Sequence, residues 1–229
     1  MAPLPAAGGG QERWALVIVD VQNDFCSGGS LAVPDGDAVV PVINALRAAR
    51  AWDAVVRTRD WHPANHCSFH ANNPGTALFE EIVLPKTGVA QVMWPTHCVQ
   101  GSHGAEYRDG LEVGAADVEV LKGQDPDVDS YSGFGTPPEE TGLAGELARR
   151  GVTHVACCGL ATDYCVGSTA RDAAKHGFQT YLVLDASRGI ADDTVGKMRA
   201  SCEVAGVRFI AAGADLPGPR AKEGHLGAR

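Results

Sequence analysis

Apolar residues along the chain fall into short β-rich runs separated by segments of helical period. Residues 14–19 (WALVIV) form a near-continuous apolar run, the pattern of a strand covered on both faces. Further strands are predicted over residues 54–58, 118–121, 152–158, 180–184 and 207–211. Four helices are predicted between them. The first follows Asp37, read as its cap, and puts Val39, Ile43 and Leu46 on one face, with Pro41 tolerated in the first turn. The others span 139–150, stopped by Gly151; 162–176, closed by Gly177; and 192–205. Strands and helices alternating in this way imply right-handed crossovers. The fold class is therefore α/β: a doubly wound, mostly parallel sheet with helices on both faces. In such sheets functional residues follow the carboxyl ends of the strands. Asp20, Asp60, Lys122 and Cys165 all stand just after predicted strands.

Composition narrows the class. The chain has 229 residues, 45% hydrophobic and 21% charged, a globular balance that excludes a disordered chain. That length accommodates one domain or a compressed two. The Ala/Pro/Gly-rich opening and the Gly, Pro and charge-rich close bound a single domain over 13–215, with flexible tails expected over 1–12 and 216–229. Nineteen basic against 28 acidic residues give a net charge of −9, so neither nucleic acid nor an anionic membrane is an expected partner. Seven scattered cysteines, with no CxxC pair, argue against a zinc ribbon or a thioredoxin motif. The opening residues lack the pattern of a secretory signal, and no apolar run is long enough to span a bilayer. A reduced, cytoplasmic setting with free thiols is the expectation.

Candidate chemistry is concentrated after the strands. Cys165 lies where a strand passes into a helix, in a first turn whose free N–H groups favour a thiolate; a buried core cysteine is the plain alternative. Cys157 and Cys158, inside an apolar run, read as core. Asp20 directly follows ALVIV, so its carboxylate is partly desolvated and its pKa rises unless a cation offsets this. Asp24 reads as a turn-forming or capping carboxylate. Lys122 becomes interesting only if it converges with Asp20 and Cys165, where it would hold the Asp while the Asp takes the thiol proton. DWHPANHCSFH brings Asp60, His62, His66 and His70 within eleven residues, and WPTHC adds His97. Asp-x-His after a strand suits a divalent transition metal, which ranks Asp60, His62 and His97 above His66 and His70. Phe25, Trp94 and Tyr131 lie in neighbouring loops, either as packing anchors or as walls for a flat heteroaromatic substrate.

Taken together, ALVIVDVQNDFCSGGSLAV (15–33), RDWHPANHCSF (59–69), WPTHCVQGS (94–102), KGQDPDVDSYSGF (122–134) and GLATDYCV (159–166) resemble the nicotinamidase branch of the isochorismatase-like cysteine hydrolases. The resemblance implies that Asp20, Lys122 and Cys165 form a catalytic triad and that Asp60, His62 and His97 bind one metal. Zinc is the first expectation, and manganese or iron suit the same ligands. It further implies a cis Leu160–Ala161 peptide, an oxyanion site at the N–H groups of Ala161 and Cys165, and ring contacts from Phe25, Trp94 and Tyr131. The fourth metal position, whether His66, His70 or water, stays open. The implied reaction is hydrolysis of nicotinamide to nicotinate and ammonia through a thioester, as a step of NAD salvage. Its partner is that small molecule, and homo-oligomerisation is left open. Three alternatives stand beside it: another carboxamide or carbamoyl hydrolase of the same superfamily, a metal-water hydrolase with Cys165 merely structural, and a non-catalytic binding module.

Overall fold

A computed structural model describes residues 11–212. Residues 1–10 and 213–229, which hold most of the two expected tails, lie outside the described residues. The elements run β1 (Trp14–Val19), α1 (Val39–Ala48), β2 (Ala54–Asp60), β3 (Glu81–Val83), β4 (Ala90–Val92), β5 (Val118–Lys122), α2 (Leu143–Arg149), β6 (His154–Leu160), α3 (Gly167–Lys175), β7 (Gln179–Arg188), α4 (Asp192–Val204) and β8 (Arg208–Ile210). Six strands form one sheet in the order β5-β2-β1-β6-β7-β8, and every pairing in it is parallel. From β1 the chain builds outward to β2 and β5, then returns to β6 and builds the other way. The topological switch therefore falls between β1 and β6, where a crevice opens beyond their carboxyl ends.

Alternation along β1 divides the core. Leu16 and Ile18 pack with Val39, Ile43 and Leu46 of α1 on one face. Ala15, Val17 and Val19 pack with Leu143 and Leu147 of α2 and with Ala170 and Ala173 of α3 on the other. Each fully buried aliphatic side chain stabilises the fold by about 1.5–3 kcal/mol relative to exposure. Cys157 and Cys158 point to opposite faces of this core, as their apolar strand implies, and all seven cysteines are free thiols.

Three expectations are corrected and one element is added. Asp37 does not cap α1; its carboxylate accepts the Ser27 N–H at 2.8 Å and pairs with Arg108 at 2.7 Å. The helix predicted over 139–150 begins only at Leu143, because the Glu139 carboxylate accepts the N–H groups of Gly123 and Gln124 and Gly142 takes φ 80°. The helix predicted from residue 162 opens as a wider π turn over Thr162–Val166, and α3 starts at Gly167. The antiparallel hairpin β3–β4 was not predicted; each strand has only three residues, and only Gln91 among them is buried. Among the described residues no helix is long and apolar enough to cross a membrane.

Candidate active site

Three strand ends and one turn meet at the switch. Asp20 directly follows β1 in a left-handed conformation (φ 47°) and is fully buried. Its neighbour across the sheet is Thr58 of β2, which accepts the Asp20 N–H at 3.2 Å and donates its hydroxyl to Asp20 Oδ1 at 2.5 Å. Lys122, the last residue of β5, is also fully buried, and its Nζ lies 2.9 Å from Asp20 Oδ2. That ammonium also pairs with Asp60 Oδ1, donates to Ser130 O at 3.0 Å and lies 3.4 Å from Cys165 Sγ. Cys165 is carried by the π turn after β6; one carboxylate oxygen each of Asp20 and Asp60 and the Cys165 sulfur lie within 4.8 Å of one another.

Electrostatics assign resting protonation states. Burial pushes the Asp20 carboxyl up to about 6, with Asp60 adding to the rise and Lys122 and Thr58 opposing it. Burial also pushes the Cys165 thiol well above its ordinary value; Lys122 opposes this, while the two carboxylates reinforce it. The helix-end argument for a resting thiolate is thereby corrected: dry surroundings and like charge outweigh the favourable N–H groups. Lys122 stays charged, since Asp20 and Asp60 more than offset the cost of burial. At neutral pH the arrangement is a carboxylate, an ammonium and a neutral thiol.

The second cluster shares Asp60. Its Oδ2 lies 3.6 Å from His62 Nε2 and 3.8 Å from His97 Nε2, and all three residues are buried. Backbone carbonyls hold both rings: Gly123 O lies 2.8 Å from His62 Nδ1, and Pro95 O lies 2.7 Å from His97 Nδ1. A carbonyl can only accept, so each Nδ1 bears the proton and each Nε2 lone pair faces the carboxylate. Three acceptors turned on one point require a cation or a further proton between them. Burial and His62 push His97 down to about 4, while Asp60 holds His62 above its ordinary value, so of the two rings His62 is the one able to carry that proton in place of a metal. Two imidazole nitrogens and one carboxylate oxygen fit a divalent transition metal. Gly123 is needed here: at φ 65°, a Cβ would lie 2.3 Å from His62 Cε1.

The remaining histidines separate. His66 stacks on His62 with ring centroids 4.0 Å apart, but both its nitrogens face protein partners, Ser68 Oγ at 2.8 Å and Val128 O at 3.2 Å. His70 faces Thr76 at 3.0 Å and belongs to no donor cluster. Asp24 holds a local turn, accepting the Ser30 N–H at 3.3 Å, and its other oxygen reaches across to accept the Cys98 N–H at 2.7 Å, which pins the loop that carries His97.

Phe25, Trp94 and Tyr131 line one cavity together with Asp60, His97 and Ala161. Trp94 Nε1 donates to the Tyr131 hydroxyl at 3.0 Å, which fixes both rings. The Leu160–Ala161 peptide is cis. Sequence reasoning missed Thr58, a threonine inside an ordinary strand pattern, and four further lining residues, Leu31, Val33, Tyr164 and Ile190. Tyr164 adjoins Cys165 and meets Trp94 edge to face at 4.9 Å, so its place beside the motif was the available signal.

Comparisons with known proteins agree with this fold. A family model described as Isochorismatase domain matches residues 14–204. The nicotinamidase of Acinetobacter baylyi is 45% identical over 178 residues, 77% of this chain and 81% of the relative. The pyrazinamidase of Pyrococcus horikoshii, solved in complex with zinc, superposes with a TM-score of 0.72 at 36% identity, covering 87% of this chain and 99% of that one. The yeast nicotinamidase bound to the inhibitor nicotinaldehyde superposes with a TM-score of 0.81 at 31% identity, covering 86% and 99%. The chain belongs to the isochorismatase-domain hydrolases, in their nicotinamidase branch.

Proposed function

We propose that the protein is a cysteine amidohydrolase that converts nicotinamide to nicotinate and ammonia. The observation that carries this reading is the Asp20–Lys122–Cys165 cluster set against a cavity walled by the rings of Phe25, Trp94, Tyr131 and Tyr164 and by two residues of a donor set suited to a metal. Asp20 removes the thiol proton as Cys165 Sγ attacks the carboxamide carbon. Lys122 keeps Asp20 ionised and balances the charge of the two carboxylates. The N–H groups of Ala161 and Cys165 receive the oxyanion, a device worth about 3 kcal/mol per donor. Asp20 then returns its proton to the departing ammonia, leaving a nicotinoyl thioester. In the second half Asp20 takes a proton from water as that water attacks the thioester, and nicotinate leaves with the thiol restored.

Asp60, His62 and His97 are the residues that would hold a metal. We infer zinc for this site, consistent with the zinc complex of the Pyrococcus relative; manganese and iron suit the same donors. A bound divalent ion would supply a Lewis-acid contact for the pyridine nitrogen, so that Phe25, Trp94 and Tyr131 have only to hold the ring faces. Unpaired thiols throughout the described chain suit a reduced, cytoplasmic setting.

The test is ammonia release from nicotinamide, run beside a panel of aliphatic amides and ureides. Release from nicotinamide at a kcat/KM far above the panel is the expected result. Release confined to a ureide or an aliphatic amide would transfer the chain to another branch of the superfamily.

A further inference from the structure

Asp163 lies in the ATDYC segment, two residues before the nucleophile, yet the chemistry above does not use it. Its side chain is buried, with the residue only 4% exposed. Its carboxylate accepts the Ile190 N–H at 3.0 Å, the Ala191 N–H at 3.2 Å and the Thr194 hydroxyl at 2.6 Å. All three donors stand at the entry to α4, whose own N-cap residue, Ala191, has no side chain able to cap it. A carboxylate from a different segment therefore satisfies the helix start, where the N–H groups and the helix dipole favour negative charge.

This clasp joins two walls of the cavity. Tyr164, the next residue after Asp163, and Ile190, from the segment before α4, both line the cavity. Cys165 has independent support: the N–H groups of its neighbours Tyr164 and Val166 both donate to Ala161 O, and its sulfur faces Lys122. Loosening the clasp would free the Ile190 wall while leaving the nucleophile in place.

We propose that Asp163 is a positioning residue that sets the width of the substrate cavity, holding Ile190 against the turn that carries Tyr164, and so limits which ring substituents are admitted. This rests on the nicotinamide-hydrolase reading for its substrate. It follows that Asp163 acts on ring binding and selectivity more than on the covalent step.

The experiment compares wild type with Asp163→Ala, Asp163→Asn and Thr194→Val. Four readouts are taken: kcat and KM for nicotinamide, the kcat/KM ratio of 5-methylnicotinamide to nicotinamide, the rate of Cys165 alkylation by iodoacetamide, and hydrogen exchange at the Ile190 and Ala191 amides. Asp163→Ala is expected to raise KM about tenfold or more while kcat and alkylation stay within about threefold. The methylated substrate gains relative to nicotinamide, and the two amides exchange faster. Thr194→Val, which removes a single hydrogen bond, moves the same quantities in the same direction by less. If Asp163→Ala does not fold, Asp163→Asn and Thr194→Val decide. Unchanged KM, selectivity and exchange in the folded variants would overturn the proposal. A parallel fall of kcat and alkylation would overturn it too, because Asp163 would then act on the nucleophile. Failure of wild type to hydrolyse nicotinamide would overturn the substrate assignment instead, and exchange and alkylation would still judge the clasp.

Discussion

Asp20 can serve as a base only while its carboxyl is ionised, and its surroundings set the pH at which that ends. Burial raises its pKa to about 6, above the 3.8 of an unperturbed Asp. A carboxyl raised on folding favours its protonated form. The stability tied to that form is complete below about 3.8 and fades as pH rises through about 6. Catalysis needs the opposite form, so kcat/KM should fall about tenfold per pH unit below about 6. Thr58 supplies a hydroxyl hydrogen bond that favours the ionised carboxylate. Thr58→Val should therefore move the acid limb of the pH profile upward, with kcat at alkaline pH changed much less; a limb left in place would mean that this bond does not tune the base. Asp20→Asn and Lys122→Ala should each reduce turnover by about 10³-fold or more, and the double variant should lose far less than the product of the two. Multiplicative losses, measured on folded protein, would contradict a single working unit.

At the scale of elements, what could be read from the sequence was set by length and burial. The β1 run WALVIV is buried at every position, so its hydrophobicity located it to the residue. Strands β3 and β4 have three residues each and little burial, which leaves no periodicity to read. The helix at 139–150 carried a helical pattern, but Glu139 is used to hold the Gly123 turn under His62. A side chain committed to a distant backbone is invisible to local pattern. Asp24 is the same case: a turn-forming residue by type, it anchors the loop of His97 from 74 positions away. Asp24→Ala should weaken metal affinity while Cys165 alkylation stays near wild type, measured by metal titration and by mass spectrometry. An unchanged metal affinity would reduce Asp24 to a loop-folding role. Gly159 shows why β6 can lie so close to β1: at φ 115°, a Cβ would come within 2.1 Å of Val19 O. Gly159→Ala should destabilise the protein by about 3 kcal/mol or more, read by denaturant unfolding.

Across the whole molecule, the doubly wound topology brings together residues scattered from 20 to 165. The sequence could place Asp20, Asp60, Lys122 and Cys165 after strands, but only the strand order sets them side by side. Asp60 joins the two halves of the site, with one oxygen toward Lys122 and the other toward the two histidines. Metal removal should therefore weaken nicotinamide turnover strongly and benzamide turnover much less, because benzamide has no ring nitrogen. Equal losses of kcat/KM for the two amides would point to a structural metal or to metal-bound water as the nucleophile. The claim on which the account depends most is that the nucleophile is the thiol of Cys165. Its most direct test is kcat/KM for nicotinamide in Cys165→Ala, with metal content and melting temperature matched to wild type. A loss of about 10⁴-fold or more is expected, since the covalent step is removed. Retention of more than about a tenth of the wild-type value would contradict a thioester route.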